Sequence, residues 1–229
     1  MTADLRYSIV IPVLNDREAL AHLLDSLDAA GAGSERIVVD GGSSDRSGEL
    51  ARTRGCTVVG GERGRATQLA RGIEHATGDW LWLLHADTEV STQSVAALHA
   101  AIARPASRWG RFDVVLADRA VIFRLIGNLM NLRSRLTGIC TGDQAIFVHA
   151  TLLRAIGGMP IQALMEDIEL SKRLKQVEPP QCLRATVTAS ARRWQSRGIV
   201  RTILLMWLLR LAYFIGVSPA RLARAYYGG

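Results

Sequence analysis

The chain predicts an α/β protein built on a doubly wound, mostly parallel sheet. Three observations carry that expectation. Short apolar runs bounded by Gly, Pro and Asp alternate with helix-periodic segments up to residue 103, the pattern of parallel strands joined by helical crossovers. Two early runs end in polar corners, Pro12-Val-Leu-Asn-Asp16 and Asp40-Gly-Gly-Ser-Ser-Asp45, and such corners build nucleotide pockets at the carboxyl ends of strands. A chain of 229 residues with 48% hydrophobic content can also fill a sizeable core as one domain.

The first strand is expected over Tyr7–Ile11 and closes at Pro12. A helix over Arg17–Ala30 follows, with Leu20, Leu23, Leu24 and Leu27 at helical spacing and Gly31 as its stop. Arg36–Val39 is the second strand, and Asp45 suits the cap of a helix over Arg46–Arg54. Cys56–Val59, a glycine loop, and a helix over Arg65–His75 come next. Trp80–Leu84 is the fourth strand, and Ser91 precedes a helix over Thr92–Ala103. Beyond that point the alternation loosens. Strands are expected over Arg111–Val115, Gln144–His149 and Cys182–Thr188, with helices over Arg119–Leu136 and Asp167–Gln176 and apolar helices at the C-terminus. The expected division within one domain, 1–229, is a nucleotide-binding half (1–103), an acceptor and catalytic half (104–190) and a helical extension (191–229).

The net charge of +7 comes from arginine, since Lys172 and Lys175 are the only lysines. A basic balance suits diphosphates, nucleic acid or acidic headgroups. No helix-turn-helix spacing, zinc finger or RNP-type strand is present, so nucleic acid is not an expected partner. The three cysteines are widely spaced and form no metal-type pair, which fits a reduced, cytoplasmic compartment. No apolar leader precedes the first strand, so export is not expected. The most apolar stretch, Ile199–Val217, carries Arg201 and Arg210 on opposite sides of a helix. That argues against a bilayer span. Packing on the domain, a homodimer face, or peripheral contact with the inner face of the cytoplasmic membrane remain for it.

Four constellations can carry chemistry. Asp40, at the end of the second strand, can accept hydrogen bonds from a base or a ribose, or can cap the next helix. The loop Gly60-Gly-Glu-Arg-Gly-Arg65, running into Gln68, offers backbone N–H groups and the arginine forks of Arg63 and Arg65 to an anion; an ordinary connection with surface arginines reads the same. His85-Ala-Asp87 follows the apolar fourth strand, where a carboxylate oxygen suits Mg2+ or Mn2+. Glu166-Asp167 opens a helix, as acids favoured at a helix start or as a proton acceptor and its neighbour.

In their order, these segments resemble family 2 glycosyltransferases, enzymes of the GT-A fold that use nucleotide-sugars. The resemblance implies donor contacts from Pro12, Leu14, Asp16, Asp40, Arg63, Arg65, Gln68, His85 and Asp87. It implies a divalent cation, Mg2+ or Mn2+, held by Asp87 at the position of the family's Asp-x-Asp. It also implies Asp167 as the general base, with Glu166 tuning or orienting it. Asp143 and Gln144 fall where acceptor contacts are expected, and Arg192, Arg193 and Trp194 where a cation and an aromatic face meet diphosphate or sugar. The chain departs from the family pattern at Leu14, where an aromatic is usual, at Gly41, where a second acid is usual, and at His85, which replaces the first acid of the metal motif. It lacks the full Gln-x-x-Arg-Trp of processive synthases, which argues for transfer of a single sugar. A finer resemblance, to arsenosugar biosynthesis glycosyltransferases, rests on His85-Ala-Asp-Thr88, Gly142-Asp-Gln144, Met165-Glu-Asp167, Arg192-Arg-Trp194 and the tail Leu209-Arg-Leu-Ala-Tyr-Phe-Ile-Gly-Val-Ser-Pro219.

The implied function is metal-assisted, inverting transfer of one sugar from a nucleotide-diphosphate sugar, a UDP-sugar first among donors, to an acceptor hydroxyl. The acceptor is a small molecule or a lipid-linked one. A polyprenyl-phosphate sugar transferase at the membrane surface and a catalytically inactive nucleotide-sugar-binding protein are the alternatives. A sugar nucleotidyltransferase would carry a basic Gly-rich loop after the first strand, where this chain has Pro12-Val-Leu-Asn15.

Overall fold

Residues 6–33 and 35–227 are described by a computed structural model. Strand β1 (Tyr7–Val13) is buried along its whole length, as expected of a strand covered on both faces. It pairs in parallel with β2 (Glu35–Asp40) on one side and β4 (Trp80–Leu83) on the other, and β3 (Thr57–Gly60) pairs in parallel beyond β2. The sheet continues through β7 (Phe147–His149), β6 (Trp109–Leu116), β8 (Gln181–Ala189) and β5 (Thr88–Glu89), giving the order β3-β2-β1-β4-β7-β6-β8-β5. Strand β7 runs antiparallel to both neighbours, β6 and β8 are parallel to each other, and β5 is antiparallel to β8. The nucleotide-binding side is therefore wholly parallel and the other side mixed. Pro12 is tolerated in the central strand because pairing with β4 ends at Val10–Leu83, before the missing N–H would matter on that side.

Alternation along β1 sorts the core into two layers. Tyr7, Ile9, Ile11 and Val13 face a cluster with the four leucines of α1 (Arg17–Ala29) and with Val95 and Leu98 of α4 (Thr92–Ala103). Val10 faces the opposite cluster, with Leu69 of α3 (Arg65–His75), Leu152 of α6 (Ala150–Ala155), and Leu170 and Leu174 of α7 (Glu166–Val177). Helix α3 lies so close to the sheet that a Cβ on Gly72 would run into the side chains of Val10 and Val39.

Several expected boundaries shift for local reasons. Helix α2 (Ser47–Thr53) starts after Arg46, which takes a left-handed φ of 66°. The strand expected from Gln144 begins only at Phe147. Residues Gly142–Gln144 wind into a 3-10 turn, and Ala145 leaves it at a φ of 49°. Helix α5 (Val121–Thr137) packs Phe123 and Ile126 on β6 but exposes Leu125, Leu129, Leu132 and Leu136. At the C-terminus α8 (Arg192–Arg197), α9 (Ile199–Phe214) and α10 (Pro219–Tyr227) follow. Of α9 only Thr202 and Leu209 are fully buried, while Leu204, Trp207, Leu208 and Leu211 stay exposed. Among the described residues no helix is long and apolar enough to cross a membrane.

Candidate active site

The two polar corners are tied to each other. Asn15, at a φ of 50°, accepts a bond from Ser44 N at 2.8 Å and donates its own N–H to Ser43 Oγ at 3.0 Å; asparagine tolerates this left-handed backbone better than most residues. Asp45 accepts from Arg17 N at 2.9 Å and from Ser47 N at 3.0 Å, so one carboxylate serves the first turns of α1 and α2. What little burial it has favours the neutral form, but hydrogen bonds from Ser47 and Arg17 hold the group below the usual carboxylate range. Asp40 Oδ1 accepts from Gly42 N and Ser43 N at 3.1 and 2.8 Å. Its carboxylate is thus engaged in the turn after β2 and does not cap α2, whose first turn Asp45 serves. Gln68 is buried, and its amide donates to Val13 O and Val39 O, both at 2.8 Å, across the ends of β1 and β2. Those two N–H bonds are spent on backbone, which leaves only its carbonyl oxygen for a ligand.

Seven of the sequence-derived donor positions share one opening of about 200 Å³, lined by Pro12, Leu14, Asp16, Arg65, Gln68, His85 and Asp87. Asp40 and Arg63 line none of the described cavities that hold the others. Asp87 is 37% exposed, and Arg192 Nη2 stands 4.0 Å from its carboxylate while gripping Asp16 at 3.0 and 2.9 Å. The hydrogen bond and charge of Asp16 raise the Arg192 guanidinium above its ordinary value, with Asp87 adding to them. The side chain of Arg193 lies outside the described residues, and Trp194 packs beside α5.

A smaller polar cavity of about 60 Å³ adjoins this opening through Arg65 and His85, and it is lined also by Asp143, Asp167 and Arg210. Met165, at a φ of 66°, turns the chain into α7. Glu166, 3% exposed, receives the Nε–H of Arg65. Burial would lower the Arg65 guanidinium, but the carboxylates of Glu166 and Asp167 hold it well above its ordinary value. Asp167 accepts from Gly142 N at 2.9 Å and from Ile168 N at 2.8 Å, and each oxygen keeps further lone pairs. His85 Nδ1 lies 3.4 Å from Asp143, and its ring fills the space where Gly142 has no Cβ. Gln144 departs from its expected acceptor contact. It is fully buried, and its amide bonds to Thr141 N, Ser134 Oγ and Asn131 Oδ1, so it braces the turn that carries Asp143.

The third space is an apolar groove of about 580 Å³ between α5 and α9, reached past His85, Asp87 and Asp143. His85 therefore lines all three cavities. Of the two arginines on the groove wall, Arg133 belongs to no motif, and Arg210 stands out in sequence only as a charge in the most apolar stretch.

A family model for Glycosyl transferase family 2 matches residues 8–151. The chain belongs to that family. This family 2 chain is 30% identical over 169 residues to an undecaprenyl-phosphate 4-deoxy-4-formamido-L-arabinose transferase of Klebsiella pneumoniae, covering 67% of this chain and 51% of that protein. It therefore spans about half the length of that curated relative. A mannosyltransferase from Pyrobaculum calidifontis, solved in complex with GDP-Man and Mn2+, superposes with a TM-score of 0.64 at 20% identity, over 90% of this chain and 61% of that one. TarS of S. aureus in complex with UDP gives a TM-score of 0.63 at 19% identity, over 81% and 60%. These superpositions establish the GT-A fold for the family 2 chain.

Proposed function

We propose that this chain moves one sugar from a nucleotide-diphosphate sugar to an acceptor hydroxyl with inversion, Asp167 taking the proton. The observation that carries the reading is the placement of Asp167 with Arg65 and His85 in a small polar cavity that opens onto the donor side. The likeness to structures holding UDP or GDP-Man supports a nucleotide-sugar donor, with a UDP-sugar the first to assay. In this reading Leu14 and Gln68, which line the donor opening, and Asp40, which lines none of the described cavities, serve the nucleoside. Arg65 and the loop residue Arg63 serve the diphosphate. The division into a donor half (1–103), an acceptor half (104–190) and a helical extension (191–229) belongs to the same proposal.

The residues fit a divalent cation in one specific way. No cluster of three or more His, Cys, Asp or Glu is present among the described residues, but Asp87 offers an exposed carboxylate and Asp16 a second one in the same opening. One or two hard protein oxygens, completed by substrate phosphates and water, is the usual arrangement for Mg2+. Bound by Asp87, Mg2+ or Mn2+ would neutralise charge on the leaving diphosphate. In the transfer itself, Asp167 accepts the acceptor's proton as that oxygen attacks the anomeric carbon, and the nucleoside diphosphate departs with the electrons of the broken bond. Arg65 stabilises the departing charge, and Glu166 holds Arg65.

Calorimetry tests the donor assignment. UDP should bind more tightly with Mn2+, and Asp87→Ala should remove that gain; metal-independent binding by the wild type contradicts it. With a hydroxyl acceptor, Asp167→Asn should cut transfer by roughly a hundredfold or more while donor binding persists. Full activity of Asp167→Asn contradicts the base assignment.

A second reading, transfer to a polyprenyl phosphate at the membrane surface, is favoured by the apolar groove and by the named activity of the Klebsiella relative. A phosphate acceptor is already ionised, so Asp167→Asn would then stay active, which separates the two. An arsenic-containing acceptor, the finer expectation from the sequence, belongs in the same panel. Donor binding with no transfer to any acceptor would favour a nucleotide-sugar-binding protein. A cytoplasmic location, on or near the inner membrane face through α9, completes the proposal.

A further inference from the structure

Two guanidinium groups on the groove wall keep buried nitrogens that meet no acceptor. Nε and Nη2 of Arg133 and Nε of Arg210 are buried without a hydrogen-bond partner. Other buried arginines anchor their terminal nitrogens or Nε on an acid: Arg65 meets Glu166, and Arg111, whose Nε is also unpartnered, meets Asp113 and the Asn131 carbonyl through its two Nη atoms. Burial, then the charge of Arg210, pushes Arg133 down to about 10, and burial lowers Arg210 as well. The carboxylates of Asp167 and Asp143 act on both arginines in the opposite direction and offset part of that charge. Buried donors left unpaired are costly, and they are rare outside functional sites.

Their place in the molecule supplies an explanation. Both arginines line the 580 Å³ groove, whose walls include Leu129, Leu132, Leu136, Ile203, Met206 and Trp207. Arg210 also reaches the small cavity of Asp167 and His85. The cationic pair thus stands where the apolar groove meets the proposed reaction centre. Guanidinium forks match phosphate oxygens in two-point contacts. Two adjacent positive charges balance a dianion better than a single carboxylate, and an apolar channel leading away from them suits a hydrocarbon chain.

We propose that Arg133 and Arg210 form one binding site for the phosphate head of an amphiphilic acceptor, a phosphate monoester whose apolar chain lies between α5 and α9. The inference rests on the second reading above, transfer to a phosphate acceptor, for calling this ligand an acceptor, and its binding is measured apart from turnover.

The test uses the full chain and three probes: farnesyl phosphate, farnesol and inorganic phosphate. Farnesyl phosphate should bind, with farnesol and inorganic phosphate each weaker by roughly tenfold or more, the scale of a charge-assisted contact. Arg133→Gln and Arg210→Gln should each weaken farnesyl phosphate by a similar factor. Arg201→Gln, on the exposed side of α9, should change nothing. Arg133→Met and Arg210→Met should lose the phosphate preference yet melt at or above the wild-type temperature without ligand, because an unpartnered buried charge is removed. A purely structural pair would instead lower the melting temperature. Equal binding of farnesol and farnesyl phosphate, or wild-type binding by the Gln variants, overturns the proposal. Inorganic phosphate binding as tightly as farnesyl phosphate would also overturn it, reducing the pair to a free-anion site. UDP binding with Mn2+ should persist in every variant; its absence from the wild type would count against the transferase reading and not against the amphiphile site.

Discussion

Replacing Arg65 with leucine should destabilise the chain measurably, and the size follows from the pair it breaks. Arg65 opens α3, Glu166 opens α7, and 101 residues separate them in sequence. The Glu166 side chain is 3% exposed and that of Arg65 32%. Removing one partner of a buried pair strands the other charge, typically at a cost of about 3–5 kcal/mol. Because water reaches one side of Arg65, we place Arg65→Leu near ~3 kcal/mol. For a chain of this length that is a fall of roughly 10 °C in melting temperature. Circular dichroism melts at pH 7 of wild type, Arg65→Leu, Glu166→Gln and the double variant measure it. The double variant should recover most of the loss, since no charge is left stranded. An Arg65→Leu protein within about 0.5 kcal/mol of wild type, or a double variant worse than the sum of the singles, would refute the account.

Gly142→Ala should push the His85 ring from its seat and disturb the N–H that Asp167 accepts; turnover should fall with a stability loss of about 1–3 kcal/mol, read from kinetics and melting together. Burial pushes the Cys140 thiol up to about 12 and raises Cys56 as well, while Cys182 is only partly buried. A disulfide reagent at pH 8 should therefore label one thiol quickly in the native chain and three after unfolding, and Cys182→Ser should abolish the fast phase. Burial would raise the Glu169 carboxyl, but hydrogen bonds from Tyr213, Arg173 and Lys172 hold it below its ordinary value. An acid depressed in the folded state contributes stability above its unfolded value, near ~4.3, and loses it as pH falls through the folded one. Tyr213→Phe should thus cost about 1 kcal/mol at pH 7 and close to nothing in acid, as pH-dependent urea melts would record.

The parallel half was legible because its signals are local and redundant. The spacing of Leu20, Leu23, Leu24 and Leu27 marks a helix face, and all four are fully buried. Apolar runs ending at Pro12, Asp40 and Leu84 fall on or beside strand ends. Strand β5 escaped notice because two residues, Thr88–Glu89, carry no periodicity. The strand assigned to Gln144–His149 overran because Gln144-Ala145-Ile146 is apolar enough to pass for one, while the turn depends on Ala145 at a φ of 49°. In the site, motif order pointed to Asp87 and Asp167, which line two adjoining cavities. The meeting of Arg65 with Glu166 is a tertiary fact that no local window contains. Arg210 stood out as a charge in an apolar stretch, but its meeting with Arg133 was illegible for a related reason, since a solvated arginine on an amphipathic helix and one with buried, unpartnered nitrogens are written identically in sequence.

Gln68 cross-braces the ends of β1 and β2, its two N–H bonds reaching Val13 O and Val39 O. The backbone ladder runs beside it to its last rung, where Gly41 N donates to the same Val13 O at 3.0 Å. The amide works as a gauge block against that rung: its length, on a helix already seated against Val10 and Val39 by the bare Cα of Gly72, sets how far the start of α3 stands from the strand ends at the donor opening. A shorter Asn would leave a gap, and Glu would set a carboxylate against two carbonyl oxygens. The edge of the aperture is thus machined jointly by one residue on α3 and by the two strands it braces.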